Sequence, residues 1–117
     1  MTGTSRLVGG LVALAALAAA GHAAVIQYNF PLDGTQEVPP NASPGTGTAL
    51  VTFDTDTNLL SWDISFGGLT GPATLAHFHG PAPIGVTAGV RVNIGTISGL
   101  VSPMVGATTI SEAFATE

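Results

Sequence analysis

Leu60, Trp62, Ile64 and Phe66 alternate with Ser61, Asp63 and Ser65. A period of two over seven residues restricts this segment to a β-strand with one apolar and one polar face. The same rhythm recurs at Ile26, Tyr28 and Phe30, which flank Gln27 and Asn29. It recurs again at Ala49, Val51 and Phe53, between Thr48, Leu50 and Thr52, and at Val90, Val92 and Ile94, around Arg91 and Asn93. Leu50 is the one apolar residue on its otherwise polar face. A strand that is wet on one side needs an apolar layer on the other, so the pattern predicts an all-β chain of two antiparallel sheets packed face to face. No amphipathic helix is expected before the C-terminal end. There, Ser111 is placed to cap a short helix through Glu112 and Phe114.

Turn chemistry separates the strands. Asp54-Thr55-Asp56-Thr57-Asn58 predicts the loop of a hairpin, and Gly67-Gly68 ends the Trp62 strand. Pro39-Pro40 and Ser43-Pro44-Gly45 mark an irregular approach to the second strand, and Gly80-Pro81-Ala82-Pro83 breaks the chain again. Asp54-x-Asp56-x-Asn58 imitates the start of an EF-hand loop, but the sixth position is Leu59 and the twelfth is Ser65. Those positions need Gly and Glu, so the segment reads as a hairpin loop and not a calcium loop.

The N-terminus reads as an address. Arg6 precedes an apolar run, Leu7 to Ala20, which is followed by the small residues Gly21, Ala23 and Ala24. A positive start, a short apolar middle and a small-residue exit are the parts of a secretory signal peptide. The run is too short to cross a hydrocarbon core of about 30 Å as a helix. Cleavage after Ala23 would leave residues 24–117 as one domain, secreted or periplasmic, with no membrane span of its own.

Composition removes several functions. The chain has 117 residues, a formal net charge of −5, no lysine and no cysteine. Nucleic-acid binding is not expected, because no basic stripe exists to meet phosphates. A thiol enzyme, a zinc–cysteine cluster and a disulfide framework all need sulfur that is absent. Gly45-Thr46-Gly47-Thr48 lacks the lysine of a phosphate loop, and no Gly-x-Ser-x-Gly elbow occurs. Trp62 reads as core. Arg91 is the one cationic side chain after residue 23, and it suits a pair with a carboxylate on a sheet face.

The chemistry-bearing stretch is Ala76-His77-Phe78-His79-Gly80. In a strand, His77 and His79 share one face and Phe78 takes the other, with about 7 Å between the two histidine Cα atoms. Two imidazoles so placed can converge on one ion, and neutral imidazole suits copper, zinc, iron or nickel, of which copper or zinc is the ion expected here. The alternative is that both rings hydrogen-bond backbone groups of neighbouring loops. Oxygen donors such as Asp33, Glu37 or Asp63 cannot be placed beside the pair from sequence alone.

From Phe30 to about Pro103 the chain resembles the CHRD domain family, named after chordin and found in many exported bacterial proteins. The resemblance rests on Leu32-Asp33-Gly34-Thr35-Gln36-Glu37-Val38-Pro39-Pro40, Ser43-Pro44-Gly45-Thr46-Gly47-Thr48-Ala49, Leu60-Ser61-Trp62 and Ala76-His77-Phe78-His79-Gly80-Pro81-Ala82. It implies an immunoglobulin-like antiparallel β-sandwich distantly similar to copper/zinc superoxide dismutases, which bind copper through a His-x-His strand. Family members carry a later Asn-x-His-Thr segment and a closing Gly-Glu-Ile-Arg-Gly strand. Neither is present here, so a domain incomplete at its C-terminus is expected, short of a third histidine ligand. The expected function is a non-enzymatic binding or structural module of the cell envelope or extracellular space. The alternative is a copper- or zinc-binding protein using His77 and His79.

Overall fold

The computed structural model describes residues 24–111. The expected signal segment, its cleavage point and the helix expected after Ser111 lie outside the described residues. Six strands form: β1 (Val25–Asp33), β2 (Thr46–Asp54), β3 (Leu59–Gly67), β4 (His77–His79), β5 (Val90–Asn93) and β6 (Met104–Thr109). A five-residue helix, α1 (Ile94–Ser98), follows β5 directly. Four strands make one sheet in the order β1-β2-β3-β6, and β4 pairs with β5 in a second. Every pairing is antiparallel, and the described residues are all-β apart from α1 and one 3-10 turn at Gly34–Gln36.

Register brings the predicted apolar rows onto one face. Tyr28 pairs with Val51, Val51 with Trp62 and Trp62 with Gly106. One step along, Phe30, Ala49, Ile64 and Met104 line up in the same way. Because side chains alternate between faces, these residues all project to the same side. Ala49, Val51, Trp62, Ile64 and Met104 are buried there against Val92 of β5 and Ile94 of α1. The second sheet reaches this core through Phe78, whose ring meets Trp62 edge-on at 5.6 Å between centroids. The Trp62 indole is 3% exposed, and its Nε1 donates to Ser98 Oγ at 2.8 Å. On the opposite face Leu50 and Val105 remain exposed.

The hairpin loop falls where expected. Asp54 accepts from the backbone N–H of Asp56 and Thr57 and so closes the turn between β2 and β3. Two elements depart from the sequence reading. Ile94 was expected as the last inward residue of a strand, and no helix was expected in this region; it is buried but begins α1. The Asn93 side chain accepts from Thr96 N–H at 3.0 Å and caps the first turn. Gly99, at φ 75°, ends the helix in a conformation that side-chain-bearing residues rarely adopt.

The second departure is β6, which carries no apolar alternation. Gly106 occupies its inward position opposite Trp62. A Cβ there would stand 2.8 Å from the indole ring and would also strike Ser98 Oγ. The ring fills the space that an apolar side chain would take, and the missing side chain is what hides the strand.

The two-stranded sheet covers the region around Trp62 and leaves the inward row of β1 open. Ile26, Tyr28 and Phe30 are 40%, 55% and 38% exposed.

Candidate functional site

His77, Phe78 and His79 form β4, so the His-x-His segment is extended as its alternation requires. Phe78 enters the core, and the two rings leave the strand on the other side. Their centroids are 5.8 Å apart, with the planes at 77°. His77 is half-buried and His79 exposed. Two imidazoles bound to one ion, with metal–nitrogen bonds of about 2.0 Å, bring their ring centres to at most about 6.4 Å. The observed separation lies within that limit.

Local pairing explains the position of β4. His77 faces Asn93 and Phe78 faces Val92, but His79 faces Val90, so Arg91 is the extra residue of a bulge in β5. Arg91 donates from Nε to the Gly80 carbonyl. Gly80 N–H in turn donates to Gly89 O at 3.1 Å. These bonds close the loop 80–89. At the other end of β4, Gly95 N–H donates to Ala76 O at 3.1 Å, which ties the strand to the start of α1.

The loop also contacts one of the rings. His79 Nδ1 lies 2.8 Å from the Ala88 carbonyl oxygen. A carbonyl oxygen only accepts, so Nδ1 carries the proton, and in the neutral ring the lone pair is on Nε2. Sequence reasoning missed Ala88, because a backbone carbonyl contributed by a loop leaves no residue-type signal.

Of the candidate oxygen donors, Asp33 is engaged in its own turn. Asp33 accepts from the Thr35 hydroxyl and, at 2.8 Å, from Thr35 N–H. Gln36 Oε1 returns a bond by accepting from Asp33 N–H, which completes a capping box over the 3-10 turn. The Thr35 hydroxyl above all, then Thr35 N–H, hold the Asp33 carboxyl below its ordinary range. Asp63 is exposed, in register with Leu50 and Val105 on the face of β3 away from the core. Among the described residues no group of three or more His, Asp or Glu side chains gathers around a common point.

A cleft of about 730 Å3 runs between the inward face of the four-stranded sheet and β4. Phe30, Leu32 and Phe66 lie on one side, Ala76 to His79 form part of the other, and Asp33 and Glu37 stand at the β1 end. No described helix is long and apolar enough to cross a membrane.

Residues 28–116 match the family model of the CHRD domain. The chain therefore belongs to the CHRD domain family, and the match takes in every strand except the first residues of β1. No curated protein and no solved structure matches the chain.

Proposed function

We propose that this is an exported, non-enzymatic CHRD module that binds a partner or serves as a structural part in the cell envelope or extracellular space. The observation that carries this reading is the family match over residues 28–116, on a chain whose first residues have the three-part form of a signal peptide. In this reading the two sheets are part of an immunoglobulin-like sandwich of the kind also used by copper/zinc dismutases. The product is secreted or periplasmic.

The test is to express the full chain in a host with a secretory pathway, then to fractionate the cells and measure the mass of the product. The expected product begins at Ala24 and is found outside the cytoplasm. A cytoplasmic product that keeps Met1 to Ala23 would reject export. Superoxide removal by the metal-treated protein, faster than by the same free metal, would reject the non-enzymatic role.

A second reading is favoured by one specific observation, the 5.8 Å separation of the His77 and His79 rings. In it the protein binds copper or zinc through this pair. Stoichiometric binding that disappears in the double variant His77→Ala, His79→Ala is the expected result.

A further inference from the structure

We infer that the ion held by the histidine pair is copper(II), that His79 meets it through Nε2, and that the loop 80–89 is the device that presets this atom. The inference rests on the metal-binding reading above and deepens it.

The loop acts through one carbonyl. Ala88 O accepts from His79 Nδ1, so the tautomer and the ring direction are set before any ion arrives. A ring nitrogen bonded to a backbone carbonyl leaves the other nitrogen more basic and better aimed, and losing such a partner typically costs about 10- to 100-fold in metal affinity. The carbonyl is itself held in place. Gly80 N–H to Gly89 O closes the loop, and Arg91 Nε to Gly80 O braces its first residue. His79 is exposed, so Nε2 can be reached from solvent.

The donor set selects the ion. Two imidazoles stand together, and no third His, Asp or Glu joins them among the described residues. Structural zinc is held by four protein ligands in a tetrahedron, which this pair does not supply. Copper(II) accepts a tetragonal arrangement of nitrogen and oxygen donors, which two imidazoles and two waters provide, and it heads the affinity order for divalent ions at nitrogen sites.

Three measurements on the purified protein test this. Long-range proton–nitrogen NMR of the metal-free protein should show His79 protonated at Nδ1. Zinc(II), used as a diamagnetic probe, should perturb Nε2 of that ring and leave Nδ1 protonated. Calorimetric titration should give one copper(II) per chain, bound at least about tenfold more tightly than zinc(II), with His79→Ala reducing copper affinity by about tenfold or more. An Nε2-protonated His79, ligation through its Nδ1, or zinc bound as tightly as copper would overturn this inference while leaving metal binding intact. Absence of binding by either ion would remove the metal reading itself.

Discussion

Gly106 and Trp62 face each other across β3 and β6, and the indole occupies the space where a side chain on Gly106 would stand. The contact is between a strand backbone and a ring that is 3% exposed and already touches Phe78 from the second sheet. Gly106→Val should therefore push the ring toward Phe78 and destabilise the fold by about 1–3 kcal/mol, as overpacking does. Denaturant unfolding followed by circular dichroism checks this. Wild-type stability in the variant would show that the pairing of Trp62 with Gly106 is wrong.

Ser98 supplies the acceptor for the Trp62 indole N–H. Ser98→Ala leaves a buried donor without its partner, which costs about 1–3 kcal/mol. Combining it with Trp62→Phe should give less than the sum of the two single losses, because the phenyl ring has no N–H to strand. Strict additivity in the double-mutant cycle would mean that this bond contributes nothing.

Asn93 links β5 to α1 by capping Thr96 N–H. Asn93→Ala is expected to cost about 1 kcal/mol, and Asn93→Asp to retain most of the stability, since the carboxylate accepts the same bond. Amide exchange at Thr96 gives a local readout. Exchange that is equally slow in Asn93→Ala would contradict the cap.

The folded-state pKa of Asp33 is lowered by its bonds to Thr35. A carboxyl depressed in the folded state contributes stability above its unfolded value of about 3.9, and that contribution is lost as pH falls through the lower folded value. Between about pH 5 and pH 2 the wild type should lose stability more steeply than Asp33→Asn, which keeps an acceptor oxygen but does not ionise. Urea midpoints across that range make the comparison, and parallel curves for the two proteins would count against the Asp33–Thr35 bonds.

The long strands were legible because one face of each is apolar. Trp62, Ile64, Val51 and Ala49 occupy the predicted rows and are buried, and Asp54 closes the predicted hairpin. Failure came where tertiary packing replaced pattern. The inward side chain of β6 at Gly106 is missing because Trp62 fills its place, so nothing in the local sequence marked a strand. Ile94 satisfied the alternation of β5, yet its neighbour Asn93 turned the chain into a helix by capping. At the candidate site, the spacing of His77 and His79 foretold that they would share a face. It could not reveal the bulge at Arg91 or the Ala88 carbonyl, which come from strand register and from the course of a loop.

Trp62 is the single tryptophan of the chain, and it is anchored in the four-stranded sheet while its ring makes a T-shaped contact with Phe78 of the other. Its fluorescence is thus an internal gauge of the gap between the layers. Any event at β4, from cation uptake to detachment of the short sheet, should alter the emission of this one label-free reporter.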